Sequence, residues 1–182
     1  SHPLPLATRG RCVSELTGKS PLVTGSTTGL GWAVARLVAR QGARVAVNHP
    51  NDANYPHQLS ELGSDAIAIK ADIGNLREIE TLFAEVKNAF GTLDILVNNA
   101  GIIRDRSMRK TTPADWNDVL RVSLTGAFLV TQAMAELLRT GGRIVNLASI
   151  AGTLGFFGQS NYAASKAGLV GLTKTAAQDM VN

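Results

Sequence analysis

Cysteine is almost missing: Cys12 is the single one among 182 residues, so no disulfide can close within the chain and no zinc site built from several cysteines is possible. No metal site is expected. Such thiol poverty points to a reducing compartment, and the cytoplasm is the expected location. Long hydrophobic runs are also lacking. Gly, Asn, Arg or Asp interrupts each apolar stretch within about ten residues, short of the roughly 20 that a membrane-spanning helix needs. No membrane partner is expected. Aromatic residues make up 5% and proline occurs six times, so a Pro-rich linker is excluded. Neither charge sign dominates: 18 Lys+Arg against 14 Asp+Glu leave +4, spread along the chain. A sequence pI near 9.6 favours loose contact with phosphates. Without a basic helix or aromatic platform, no specific nucleic-acid partner is expected. Residues 1–14 hold Arg9 and Arg11 but no acid and no apolar run, which is not a secretory signal. Residues 1–15 are expected to form a flexible tail, with a vector remnant or a trimmed targeting piece as other readings.

What is present suits one packed domain. Hydrophobic residues reach 45%, and 18 glycines in so apolar a chain should mark tight turns. Short β-favouring runs at Leu22–Thr24, Arg44–Val47, Ala66–Lys70, Ile95–Val97 and Arg143–Leu147 alternate with helical patterns. The helical segments are Leu30–Gln41, a weak one at His57–Leu62, Leu76–Phe90, Asp115–Leu138 and Tyr162–Val181. Leu76, Ile79, Leu82, Phe83 and Val86 share one stripe, as a helix lying on a sheet requires. Thr112, Pro113 and Asp115 supply a cap, a first-position proline and a first-turn acid. Alternation of this kind predicts an α/β fold with a parallel sheet covered on both faces. No repeat or linker divides residues 16–182, so a single domain is expected.

Three stretches carry chemistry. Thr24-Gly25-Ser26-Thr27-Thr28-Gly29-Leu30-Gly31 follows an apolar strand and opens a helix, where glycines admit a pyrophosphate and the helix start attracts its charge. An ordinary glycine-rich turn is the plainer reading. Val97-Asn98-Asn99-Ala100-Gly101 ends another strand and either fixes loops around a ligand or forms a turn. Asp72 is either a helix cap or an acceptor for an adenine amino group. In Tyr162-Ala163-Ala164-Ser165-Lys166 the phenol and the ammonium share a helix face. Bringing a tyrosine from its ordinary pKa of about 10 to ~7 needs about 4 kcal/mol of phenolate stabilisation. A surface pair is the plainer alternative there. Ser149, thirteen residues upstream of Tyr162, is either a strand-end cap or a hydroxyl facing the same crevice.

Together, the Thr24-Gly25-xxx-Gly29-x-Gly31 loop, Asp72, Asn98-Asn99-Ala100-Gly101, Ser149 and Tyr162-xxx-Lys166 resemble the short-chain dehydrogenase/reductase family. The wording around Gly101–Asp105 and Trp116–Val119 is most similar to 3-oxoacyl-carrier-protein and acetoacetyl-CoA reductases. The resemblance implies a Rossmann-like doubly wound parallel sheet in three α/β/α layers. It implies carbonyl reduction in fatty acid metabolism, on a small carbonyl substrate such as an acyl-CoA or acyl-carrier-protein thioester. Tyr162 would donate the proton, Ser149 would hold the carbonyl oxygen, and Lys166 would lower the Tyr162 pKa and bond the nicotinamide ribose. The implied cofactor contacts are Gly25, Ser26, Thr27, Gly29, Leu30, Gly31, Asp72, Ile73, Asn99, Ala100, Gly101, Tyr162 and Lys166. Gly155–Gln159 would form part of the substrate wall. A homodimer through the two long helices is also implied.

Four points qualify the resemblance. Where the family has an asparagine that positions a relay water, this chain has Ser123. Ser20-Pro21 precedes the first strand, so that strand is expected to begin at Leu22. The resemblance stops at the Tyr162 helix, before the family's last strands and a substrate helix, which implies an incomplete domain with an exposed strand edge. No acid follows Val47, where Asn48 and His49 stand, so NADP(H) is favoured over NAD(H). A noncatalytic dinucleotide-binding remnant is the alternative function.

Overall fold

The computed structural model describes residues 15–51 and 58–180. Most of the expected tail, with Cys12, lies outside them, as do His57 and Val181 at the ends of two expected helices. Five parallel strands stand in the order β3-β2-β1-β4-β5: β1 Pro21–Val23, β2 Ala46–His49, β3 Ile67–Lys70, β4 Leu93–Asn98 and β5 Leu138–Asn146. Helices α1 Gly29–Arg40, α2 Leu76–Phe90, α3 Pro113–Leu120, α4 Ala127–Ala135, α5 Ala151–Leu154 and α6 Ser160–Asp179 complete the fold, with a 3-10 turn at Leu59–Leu62. One apolar cluster joins the sheet to α2 and α4 through Ile69, Ile79, Leu82, Leu96, Val130 and Met134; a second joins it to α1 through Ala35, Val45 and Val47. This is the doubly wound α/β arrangement expected from the alternating pattern.

Several boundaries differ from the sequence expectation. Pro21 lies inside β1, opposite Ile95, rather than ahead of it. A proline is tolerated as the first residue of a strand, and the buried Asp94 carboxylate accepts the Ser20 N–H at 3.0 Å just before it. β2 begins two residues later and runs through Asn48 and His49. Both are buried with their side chains satisfied: the His49 Nδ1 bonds to the Asn51 carbonyl at 2.7 Å, and the Asn48 amide bonds to three backbone groups.

The expected helix Asp115–Leu138 is three segments. A π-helical turn, Arg121–Gly126, separates α3 from α4, and at Gly126 a Cβ would lie 2.8 Å from the Ile73 carbonyl. The helix therefore presses against the β3–α2 loop. It ends at Ala135, and Leu138 opens β5, whose pairing jumps from Leu93↔Leu138 to Ile95↔Arg143 across a bulge containing Gly141 at φ +79°. In α2, Ile79, Leu82 and Val86 are buried, but Leu76 is 57% exposed because it is the first helical residue, ahead of the stretch on the sheet. The cap of α3 matches expectation: the Thr112 hydroxyl accepts from the Asp115 N–H at 3.1 Å, with Pro113 at the first helical position.

Candidate functional site

The carboxyl ends of β1 and β4, where strand order reverses, open into a cavity of about 510 Å³. Crevices at such points are where open α/β sheets bind ligands. Its wall includes Gly25, Thr27, Gly29, Leu30, Gly31, Asp72, Ile73, Asn99, Ala100 and Gly101. Sequence reasoning named each of these. Ser26 is different: it is fully buried, its hydroxyl donates to the Val23 carbonyl at 2.5 Å and accepts from the Asn48 N–H at 3.1 Å. It braces the loop from behind and is not part of the cavity wall.

Close approach explains two of the glycines. A Cβ on Gly25, at φ +57°, would sit 2.7 Å from the Ala100 Cα, and one on Gly31 would sit 2.4 Å from the Asn99 amide nitrogen. Asn99 ties the two loops together, donating to the carbonyls of Thr24 (2.9 Å) and Gly25 (2.8 Å). Gly29, at φ +55°, has open space where a Cβ would stand. Helix α1 begins at Gly29 with no side-chain cap and no acid in its first turn. Its first amides are thus uncompensated by protein charge, which suits a phosphate. The donor set and the glycine cradle fit the pyrophosphate of a dinucleotide.

Asn48 was considered from sequence only for its lack of charge; the structure gives it a larger part. It is 2% exposed. Its Oδ1 accepts from the Gly25 N–H at 3.1 Å, and its Nδ2 donates to the carbonyls of Ile69 (3.3 Å) and Ala71 (2.9 Å). One amide thereby joins the glycine loop to the end of β3. The Gly25 N–H is spent on this contact, so Gly25 frames the loop by its missing side chain.

Asp72 does not cap α2, since Asn75 does so by accepting from the Arg77 N–H. The Asp72 carboxylate accepts from the Gly74 N–H at 2.8 Å and pairs with Arg121 at 2.8 Å. Arg121 also reaches Asp118, whose other oxygen meets Arg104 at 3.1 Å. Arg104, Asp118 and Arg121 all line the cavity and were not singled out from sequence. An i,i+3 Asp–Arg pair on a helix is a visible signal, but nothing local announces a partner 49 positions away.

Ser149, Tyr162 and Lys166 lie outside that cavity wall, grouped where the β5–α5 loop meets α6. Gly152 of α5 packs so tightly on α6 that a Cβ would be 2.6 Å from the Ala167 nitrogen. Lys166, 4% exposed, donates to the Leu147 carbonyl at 2.6 Å, two residues before Ser149. Ser149 accepts from the Ala151 N–H at 3.2 Å, just ahead of α5, whose cap position is Ile150. The Lys166 Nζ lies 5.6 Å from the centroid of the half-buried Tyr162 ring. Burial pulls the Lys166 ammonium below the usual lysine range. Asn161, fully buried, anchors this end of α6 by donating to the carbonyls of Arg104 (3.1 Å) and Asp115 (3.3 Å), while accepting from the Tyr162 N–H. Gly101 bridges the two groups of residues: a Cβ there would lie 3.3 Å from the Ser123 Oγ and 3.7 Å from the Lys166 Nζ. The buried Ser123 hydroxyl accepts from the Ile102 N–H at 3.1 Å.

Known proteins share this fold and much of this sequence. The short chain dehydrogenase family model matches residues 19–182. A 3-oxoacyl-[acyl-carrier-protein] reductase of Synechocystis is 38% identical over 176 residues, covering 93% of this chain and 71% of the relative. The protein of the same name from Staphylococcus aureus strain Mu50 is 39% identical over 170 residues, covering 90% and 69%. A crystal structure assigned to a short-chain alcohol dehydrogenase from Sinorhizobium meliloti 1021 superposes with a TM-score of 0.86 at 31% identity, over 92% of this chain and 68% of that one.

Proposed function

The chain belongs to the short chain dehydrogenase family and is an oxidoreductase, and on that premise we propose that it reduces the ketone of a 3-oxoacyl thioester with NADPH. The observation that carries the reading is the pairing of Tyr162 with Lys166, which bonds the Leu147 carbonyl two residues before Ser149, beside Gly101 of the glycine-framed cavity at the strand reversal. The names of the relatives supply the substrate class.

A reduced nicotinamide, when bound, supplies the hydride that attacks the carbonyl carbon. The chain's own residues manage the oxygen. Tyr162 donates a proton to it, and its hydroxyl makes no hydrogen bond to another described residue that would compete. Ser149 donates a second hydrogen bond and stabilises the charge that develops there. Lys166 places a cation 5.6 Å from the centre of the ring that carries the phenol. Gly29, Leu30 and Gly31 present the start of α1 to the pyrophosphate, and Asp72 faces the adenine end.

For the coenzyme, Asn48 supports NADPH: the position where an acid would select NAD holds a neutral side chain whose hydrogen bonds are all internal. We read Phe128 on α4 and Val170 on α6, 44% and 41% exposed, as facing a second copy. NADPH and NADH oxidation in the presence of acetoacetyl-CoA tests the proposal. Turnover with NADPH, and less with NADH, is expected. Coenzyme binding without turnover on any 3-oxoacyl thioester would contradict it and favour a noncatalytic dinucleotide-binding module.

A further inference from the structure

We propose that Arg121 is a positioning residue for the coenzyme: by gripping Asp72 across the cavity wall, it sets the acceptor that discriminates adenine from other purines. The inference rests on reading the cavity as a dinucleotide site.

The Asp72 carboxylate is held at both oxygens. Oδ1 accepts from the Gly74 N–H and Oδ2 from the Arg121 guanidinium, both at 2.8 Å. With the two oxygens pinned by partners on different segments, the carboxylate plane is held in one orientation, and each oxygen keeps a lone pair for a ligand in the cavity that Asp72 lines. Arg121 is itself fixed at its other nitrogen by Asp118 at 3.0 Å, and Arg104 ties Asp118 to the β4–α3 loop. A planar fork suits this double grip, which a lysine could not supply. Burial alone would lower the Arg121 pKa, but the hydrogen bonds and charges of Asp72 and Asp118 raise it overall.

Two further features point the same way. Gly74 is the seat of the guanidinium: a Cβ there would lie 1.9 Å from the Arg121 Nη1 and 2.7 Å from Cζ. Glu78 brings a second carboxylate close, accepting from the Asp72 N–H at 2.7 Å, so Arg121 also offsets a like charge beside the acceptor. Arg121 opens the π-helical turn, a distortion found often at functional sites.

An adenine amino group donates to a carboxylate, whereas the hypoxanthine carbonyl oxygen is repelled by it. Calorimetric dissociation constants for NADPH and its hypoxanthine counterpart therefore read the placement of Asp72. The full chain should favour NADPH by about tenfold or more, the effect of one hydrogen bond to a charged group. Arg121→Met should bring the two constants within about threefold. Gly74→Ala, which leaves every charge in place and only evicts the guanidinium, should do the same, and it guards against misfolding of the first variant. General loosening of the site would weaken both ligands alike and leave the ratio unchanged, and that result would overturn the role of Arg121. If the parent itself binds both ligands equally, or neither, the reading of Asp72 and of the cavity fails, before any variant is considered.

Discussion

Asn48→Asp is the substitution that a simple coenzyme rule recommends, because it creates the acid that should select NADH. The structure predicts a different outcome. The aspartate keeps an oxygen for the Gly25 N–H but loses both donors to the Ile69 and Ala71 carbonyls, at a side chain 2% exposed. Two lost hydrogen bonds cost about 2 kcal/mol, and a carboxylate facing two carbonyl oxygens in the interior adds about 1 kcal/mol or more. A loss of about 3 kcal/mol corresponds to a fall of roughly 6–12 °C in Tm for a chain of this size. The glycine loop and the end of β3 would separate together, so affinity for NADPH and NADH should fall by similar factors. Thermal unfolding followed by circular dichroism, with titration of both coenzymes, measures the two effects. An unchanged Tm with a tenfold gain in NADH preference would refute the reasoning, since it would mean that the edge Asn48 lends to the cavity wall, rather than its internal hydrogen bonds, governs its effect.

Other substitutions separate packing from binding. Gly25→Ala drives a Cβ against the Ala100 backbone at φ +57° and should cost stability first, by about 2 kcal/mol or more, seen in urea unfolding. Gly29→Ala meets only the φ +55° strain, about 1 kcal/mol, and should weaken coenzyme binding in a chain that still folds. Burial acts to raise the Asp94 pKa, but hydrogen bonds from Lys19 and Ser20 and the nearby Arg139 charge bring it below the ordinary value overall. A carboxylate lowered in the folded state adds stability above its unfolded pKa of about 3.9, and that stability is lost as pH falls through the folded value. Asp94→Asn should therefore cost about 1.5 kcal/mol at neutral pH and flatten the loss of stability below about pH 4, measured by unfolding at several pH values. Ser123→Asn restores the asparagine that the resemblance implies for holding a relay water, and turnover should rise about fivefold, the worth of one hydrogen bond. No gain in steady-state assays would remove Ser123 from the account of proton supply.

Local chemistry decided what could be read from the sequence. The α2 stripe from Ile79 onward, the Thr112 cap and the alternation of strand and helix rest on neighbours within a few residues, and they match the structure, while Leu76 at the helix start stays exposed. The glycine loop, Asp72 and Asn99–Gly101 were legible as a group, and the fold brings them to one cavity. What escaped depends on distant partners. Pro21 can open a central strand because Asp94 receives the preceding N–H. The long helix carries a π-helical turn where Gly126 lies against Ile73, and Leu138 leaves it to pair opposite Leu93. Asn48 looked like a neutral gap in a motif, whereas its amide joins three backbone segments. Arg121 carries no signal of this role in the sequence, and only the folded chain sets its guanidinium over Gly74 and against Asp72.

The proposed carbonyl reduction by this chain depends on Tyr162 to supply the proton. The direct measurement compares acetoacetyl-CoA-dependent NADPH oxidation by the parent and by Tyr162→Phe, with NADPH affinity determined for each. The ring is half-buried and phenylalanine keeps its packing, so the variant should bind NADPH as before and lose about 10²-fold or more in turnover, the usual worth of a general acid. Turnover undiminished in Tyr162→Phe would contradict the assignment.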